Sequence, residues 1–301
     1  MNQAELFAAG IAQVPEQIID LIARGAIFVI NHSGGKDSQA MYLLLRDLVP
    51  AAQRVIVHAD LGEVEWPGAV DQIKATTAGE PLHVCRSRRG LLQMIEERGM
   101  FPSPSMRQCT SDLKRGPIER TIRGLVEDRV ADFIGVPRGT HTLNMYGRPA
   151  AMAAGCGLVV NCLGMRAEES PGRSKLTPFK RHEGNSKAGR EWYDWLPIHG
   201  WTTVEVFGRI AAAGQAPHWV YAAGMSRFSC CFCIMSNKAD LTTAAKLNPT
   251  LYRKYVELER STGQVMLMPS KTKGRLTIEQ VTGVSVVSAI ERAKQPAEVP
   301  A

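Results

Sequence analysis

The segment Ala26-Ile27-Phe28-Val29-Ile30-Asn31-His32-Ser33-Gly34-Gly35-Lys36-Asp37-Ser38 joins two kinds of sequence. Its first half is a short unbroken apolar run, which suits a strand buried on both faces of a parallel sheet. Its second half is small and polar, and Ala40, Met41, Leu43, Leu44, Leu45 and Leu48 then recur at helical spacing. The reading is strand, tight loop, helix. The two glycines allow the backbone to turn tightly and to bring its N–H groups close to an anion. The positive end of the following helix adds to that attraction. Lys36 contributes a point charge, Ser33 and Ser38 contribute hydroxyls, and Asp37 is the carboxylate best placed for Mg²⁺, a hard cation that prefers oxygen. The loop is not a Walker A motif, which needs Gly where this chain has Ile30 and Ser or Thr where it has Asp37.

The pattern continues on both sides. Upstream, residues 4–24 read as helical with a break at Pro15. Downstream, strands are expected at 54–59, 82–85 and 158–160, with helical stretches around 68–77, 91–97, 118–126 and 202–213. Strands alternating with helices predict βαβ units and a parallel sheet. The fold class is therefore α/β, a parallel sheet flanked by helices, with ligands at the carboxyl ends of the strands. Both the glycine loop and Asp60 fall there. Three segments are expected: a helical piece over 1–25, a nucleotide-binding α/β domain over 26–205, and a mostly helical piece over 206–301 with a frayed tail. Residues 171–191, basic and interrupted by Gly and Pro, read as a mobile surface loop.

Composition narrows the function. The 301 residues are 45% hydrophobic and 22% charged, which excludes a disordered, collagenous or coiled-coil chain. No apolar run approaches the ~18 residues of a membrane span. The start, MNQAELFAAG, lacks a basic leader segment, so a cytoplasmic, membrane-free protein is expected. The net charge of +7 favours an anionic partner such as a nucleotide, a nucleic acid or a sulfate ester. Seven cysteines are too few and too scattered for a secreted disulfide framework; clustered cysteines in a reducing compartment point to metal or catalysis. Cys109 follows Arg107-Gln108, and Cys230-Cys231-Phe232-Cys233 contains a C-x-x-C. Cys85, Cys156 and Cys162 read as small buried hydrophobes.

Ser33 to Ser38 closely resembles the SGGxDS loop of the PP-loop ATP pyrophosphatases. The run Cys109-Thr110-Ser111-Asp112-Leu113-Lys114-Arg115-Gly116-Pro117, with the distant C-x-x-C, resembles two motifs of the PAPS/APS reductase superfamily, a branch of that fold. The resemblance is closer still to the sulfur-inserting component of DNA phosphorothioation systems, whose loop also carries a single cysteine and whose C-x-x-C also follows an Arg-Phe pair. Leu163-Gly164-Met165-Arg166-Ala167-Glu168-Glu169-Ser170-Pro171-Gly172-Arg173 resembles the superfamily's G-x-R-x-x-x-S-x-x-R segment.

The resemblance implies ATP at Ser33, Gly34, Gly35, Lys36, Asp37 and Ser38, with Asp60 recognising the nucleotide and Arg166 and Arg173 binding phosphate or sulfate oxygens. Rim salt bridges and a helix cap are the plainer roles for these arginines and for Asp60. Lys36, Asp37 and Lys114 are the implied catalytic residues. Cys109, Cys230 and Cys233 are the implied ligands of a [4Fe–4S] cluster, with zinc completed by a histidine such as His218 as the rival. The fourth ligand is open between Cys231, Cys162, a group other than cysteine, and an exchangeable ligand. Two departures bear on activity. Adenylyl-sulfate reductases carry two adjacent cysteines where this chain has Gln108 and Cys109, and no cysteine follows Cys233 to serve as the C-terminal nucleophile of cluster-free reductases.

The implied function is an enzyme, an ATP-dependent sulfurtransferase that adenylylates and thiolates an acceptor, with DNA or RNA as the expected acceptor and a cysteine desulfurase as the kind of protein that donates sulfur. An APS or PAPS reductase releasing sulfite is the alternative, and a nucleotide sensor or DNA-binding regulator is the alternative of another class. The basic residues Lys175, Lys180, Arg181, Lys187 and Arg190 suit either a nucleic-acid backbone or solvent. The aromatic residues around Tyr193-Asp194-Trp195 are expected in the core.

Overall fold

The computed structural model describes residues 14–77, 79–140, 147–269, 272 and 274–287. Six strands form one sheet in the order β3-β2-β1-β4-β6-β5. They are β1 (Ile27–Asn31), β2 (Arg54–Asp60), β3 (Leu82–Arg86), β4 (Leu158–Cys162), β5 (Phe179–Arg181) and β6 (Glu191–Trp195). β1 pairs in parallel with β2 and with β4, β4 pairs in parallel with β6, and β5 runs antiparallel to β6. The helices with a bearing on the site are α1 (Glu16–Ala23), α2 (Lys36–Leu48), α3 (Ala69–Thr77), α4 (Leu91–Arg98), α5 (Gly116–Ile134), α6 (Arg148–Ala153), α7 (Thr203–Ala212), α8 (Lys238–Leu247), α9 (Pro249–Thr262) and α10 (Ile278–Thr282). The expected α/β architecture is the observed one. Among the described residues no helix is long and apolar enough to cross a membrane.

The central strands are mainly apolar because both faces are covered. Phe28, Val29, Ile30, Val159 and Val160 are fully buried. Phe28 and Ile30 join Met41, Leu43 and Leu45 of α2 in one core, while Val29 and Val159 join Ile122, Val126 and Val130 of α5 in another. α1 starts just after Pro15, whose fixed φ suits the residue preceding a helix. Residues 4–13 of the expected N-terminal helix and the expected tail beyond 287 lie outside the described residues.

The basic stretch 171–191 is more ordered than its composition suggests. Phe179 stacks on Tyr193 at 5.3 Å and draws β5 onto the edge of the sheet. Lys180 and Arg181 are exposed there, as charged residues usually are on an edge strand that must not recruit another chain. Trp192 and Trp195 are buried, as expected of core aromatics.

The chain forms two compact units, and they do not follow the three segments expected from sequence. The first holds residues 1–58, 70–85 and 118–217; the second holds 59–69, 86–117 and 218–301. Two stretches that look like connections are apolar enough to belong to a separate core. Val64, Trp66, Leu91, Met94, Phe101 and Leu113 are buried with Phe232, Leu241, Tyr252 and Tyr255. Burying this set removes several large side chains from water, at roughly 1.5–3 kcal/mol each.

Candidate functional site

In the first unit, the glycine loop ends β1 and opens α2. Gly34 has φ +84°, a conformation that suits glycine and strains other residues. Lys36, Asp37 and Ser38 form the first turn of α2, after Gly35 at the N-cap. Gly164, beyond β4, approaches this turn closely. A Cβ there would sit 3.3 Å from the Asp37 carbonyl and the Ser38 nitrogen, tighter than ordinary van der Waals contact. That close approach is the physical reason for glycine in the G-x-R segment.

The loop satisfies itself. Ser33 N–H donates to Ser38 Oγ at 3.2 Å, Gly34 N–H donates to His32 Nδ1 at 3.1 Å, and Ser38 Oγ–H donates to the Gly35 carbonyl at 2.9 Å. Lys36, 4% exposed, donates to Asp37 Oδ2 at 2.9 Å. Asp37 Oδ1 accepts from Arg166 Nε at 2.6 Å. The Asp37 carboxylate therefore lies between two cations, and this arrangement does not suit it as the Mg²⁺ ligand expected from sequence.

Arg166 also differs from its expected role. It is 2% exposed, and beyond Asp37 its guanidinium donates to Glu168, to the Trp201 carbonyl at 3.0 Å and to Thr203 Oγ1 at 3.1 Å. Burial alone would lower its pKa, but Asp37 and Glu168 outweigh burial and hold it above its ordinary value. Four of its five N–H groups are thus committed to the chain, and a bidentate grip on an anion is not open to it. Arg173 is half-buried and pairs with Glu169. His32 completes the loop from behind: burial and the neighbouring His58 lower its pKa to about 3. With Nδ1 accepting from Gly34, the ring proton sits on Nε2, which is buried without a partner.

The same unit holds a polar row that sequence reasoning missed. Asn31 donates to Asn161 Oδ1 at 2.7 Å, and Asn161 donates to Asp194 Oδ1 at 2.8 Å. The row ties β1, β4 and β6 together near their carboxyl ends. Polar residues near the ends of otherwise apolar strands were the available signal.

In the second unit, Asp60 accepts from Gly62 N–H at 2.7 Å and pairs with Arg86. It thus caps the turn that follows β2. It also lines a cavity of about 220 Å³ with Arg86, Arg88, Arg89, Leu91 and Leu113.

The two cysteine motifs meet in this unit. Cys109 lies in a short helical turn, Gln108–Thr110, and Lys114 follows on a single π-helical turn, Ser111–Arg115, leading into α5. Such turns insert an extra residue and often re-aim side chains at functional sites. The C-x-x-C lies before α8. It is held by Cys231 N–H donating to the Val64 carbonyl at 2.9 Å and, upstream, by Ser226 N–H donating to buried Asp240 at 2.8 Å. Asn237 caps α8 by accepting from Asp240 N–H at 2.8 Å.

Burial pushes the Cys109 thiol up, Cys233 adds to the rise, and Lys114 opposes it. Cys230 is likewise raised by burial, with Lys114 opposing and Cys233 and Cys109 reinforcing. Lys114 in turn is held above its ordinary value, chiefly by Cys230 and then by Cys233, Glu65 and Cys109. Cys109, Lys114, Cys230 and Cys233 are thus brought within electrostatic reach of one another. Among the described residues, however, no three His, Cys, Asp or Glu side chains are arranged to hold a metal ion. The donor set itself suits a thiophilic centre, with three thiols, a lysine to neutralise them, and the buried Tyr255 hydroxyl left without a partner.

The other candidates for ligand roles are engaged elsewhere. Cys231 is 1% exposed in the second core, and burial pushes its thiol up to about 12. Cys162, fully buried in β4, directs its thiol at the Val160 carbonyl. Cys156 is buried, and Cys85 is partly buried against the same core. His218 Nε2–H donates to the Pro67 carbonyl at 3.1 Å, and Nδ1 accepts from Val220 N–H at 3.4 Å. With both ring nitrogens engaged, His218 does not offer a zinc ligand in this arrangement.

A family model described as the phosphoadenosine phosphosulfate reductase domain matches residues 27–236. In sequence, the chain is 29% identical over 285 residues to an uncharacterised 37.8 kDa protein in the gpa 5′ region of Escherichia phage 186, over 79% of this chain and 76% of that protein. Among solved structures it is similar to phosphoadenylyl-sulfate reductase from Candida auris in a phosphate complex, at 12% identity over 76% of this chain and 95% of that one, with a TM-score of 0.45. It is also similar to yeast FAD synthetase in complex with FAD, at 14% identity over 95% and 86% of the two chains, with a TM-score of 0.38. With well over half its length matched by the family model, and with the glycine loop and both cysteine motifs inside that match, the chain belongs to the phosphoadenosine phosphosulfate reductase domain family.

Proposed function

We propose that this chain is an ATP-dependent sulfurtransferase that activates an oxygen of a nucleic acid and replaces it with sulfur. The observation that carries the reading is the gathering of Cys109, Cys230 and Cys233 around Lys114, in a chain that also holds the Ser-Gly-Gly-Lys-Asp-Ser loop. A single cysteine in the first motif, with Gln108 in place of a second, favours sulfur insertion over sulfonucleotide reduction. Exposed Lys175, Lys180, Arg181 and Lys187 offer charge to a phosphate backbone.

Lys36 and the positive end of α2 would hold the β- and γ-phosphates of ATP, with the loop amides exchanging their internal partners for phosphate oxygens. Asp37, clamped by Arg166, fixes the Lys36 ammonium. The acceptor oxygen would attack the α-phosphorus as the bond to the bridging oxygen breaks, and the electron pair would leave with pyrophosphate. Positive charge at the loop stabilises that leaving group. A hydrosulfide would then displace AMP, leaving sulfur where the oxygen was. Cys109, Cys230 and Cys233 would hold an iron–sulfur cluster, which supplies an iron site for the sulfur anion when bound. Lys114 offsets negative charge on those cysteines.

The test is an anaerobic assay with ATP, sulfide and single- or double-stranded nucleic acid. The reading expects pyrophosphate release that depends on nucleic acid, and sulfur incorporated into it. Sulfite release from APS or PAPS, with no pyrophosphate formed from ATP, would instead make the chain a sulfonucleotide reductase.

A further inference from the structure

The second unit buries a tyrosine whose hydroxyl has no hydrogen-bond partner among the described residues. Tyr255, on α9, is 1% exposed, and its hydroxyl is buried without a hydrogen-bond partner. The ring is held by Phe232, with centroids 5.0 Å apart, and by Phe101, stacked at 6.4 Å. Phe232 stands between Cys231 and Cys233, so this clamp sets the phenol against the C-x-x-C turn. The hydroxyl lies within electrostatic reach of Cys230, Cys231, Cys233 and Cys109.

Burying a phenolic O–H unpaired forfeits its hydration with nothing in return. Tyrosine is normally buried only where that O–H finds an acceptor, and phenylalanine would fill the same space without the penalty. Among the described residues no acceptor is in place for it, and the ionisable groups within its electrostatic reach are cysteines.

We propose that Tyr255 donates its hydroxyl proton in a hydrogen bond to a sulfur of the centre held by Cys109, Cys230 and Cys233, and thereby raises the reduction potential of that centre. This rests on the reading of those cysteines as cluster ligands. Hydrogen bonds to cluster sulfurs are among the factors that set the potential, because a donor offsets the negative charge that reduction adds. The donor acts from a rigid position, since its ring is packed between two aromatic side chains.

The experiment compares wild-type protein, Tyr255→Phe, and protein with 2,3-difluorotyrosine at position 255, all purified anaerobically. Iron and sulfide content is measured first, then the midpoint potential by a titration followed with electron paramagnetic resonance. Tyr255→Phe should retain iron and sulfide while its potential shifts to a more negative value. The fluorinated phenol is more acidic and a stronger donor, so it should shift the potential the other way. It also keeps the ring and hydroxyl, so it decides the matter if Tyr255→Phe fails to fold. Equal potentials, or an unshifted fluorinated protein, overturn the inference and leave the cluster reading standing. Wild-type protein without iron overturns both.

Discussion

In the glycine loop the chain meets its own charges: Lys36 lies on Asp37, Asp37 on Arg166, and Arg166 on Glu168, Thr203 and the Trp201 carbonyl. The cysteine centre is the reverse. Burial and the neighbouring Cys233 push the Cys109 and Cys230 thiols up, Lys114 compensates in part, and the Tyr255 hydroxyl has no partner among the described residues. The difference separates a loop whose polar groups are paired within the chain from a centre that buries a hydroxyl with no partner among the described residues. Preorganised donors avoid reorganisation at the moment of reaction, whereas an unsatisfied buried group is a standing cost until a partner binds.

The contrast breaks most visibly at Arg166. Arg166→Met should lower stability by about 3 kcal/mol, the low end for breaking a buried pair because Glu168 is half exposed. Urea unfolding at constant m would measure it. A loss below about 1 kcal/mol would mean that the network is not holding the loop.

A smaller effect is expected at Lys36, where the loss falls on ligand and not on fold. Lys36→Ala should weaken ATP binding about ten- to hundredfold, the range for charge-assisted hydrogen bonds to phosphate, with the melting temperature little changed. Calorimetry checks it, and unchanged affinity would remove the loop from nucleotide binding.

His32 sharpens the comparison through pH. Its folded pKa, about 3, lies below the ordinary value of 6.5, so the unfolded chain binds the proton more readily. The stability associated with neutral His32 is fully present above pH 6.5 and is lost as pH falls toward 3, with a slope of at most ~1.4 kcal/mol per pH unit. His32→Asn keeps an acceptor for Gly34 N–H without that titration. It should have little effect at neutral pH and flatten the acid limb of a stability profile; a profile identical to wild type would show that His32 is not held neutral.

The strand, loop and helix of residues 26–48 were legible because an apolar run, two glycines and a helical period are local signals. Strand β5 was not, since Phe179 orders a basic stretch only by stacking on Tyr193. Nor was the second unit, because Val64, Trp66 and Phe101 are buried only when three separated stretches share one core. The resemblance of two motifs to a family pattern drew attention to Cys109, Lys114, Cys230 and Cys233, which lie within electrostatic reach of one another. The commitment of Arg166 to Thr203 and Trp201, far along the chain, left no local trace. Tyr255 also escaped notice, because on an amphipathic helix it reads as an ordinary core aromatic, and only an account of its hydroxyl sets it apart.

The central claim is that Cys109, Cys230 and Cys233 hold an iron–sulfur cluster. The most direct measurement is the iron, sulfide and zinc content of strictly anaerobic protein, with its visible absorption spectrum, beside Cys109→Ser, Cys230→Ser, Cys233→Ser and, as control, Cys85→Ser. The account predicts iron and sulfide with broad visible absorption in wild type and Cys85→Ser, and loss of that absorption in each of the other three. Stoichiometric zinc without iron, or a cluster that survives replacement of all three cysteines in turn, would contradict it.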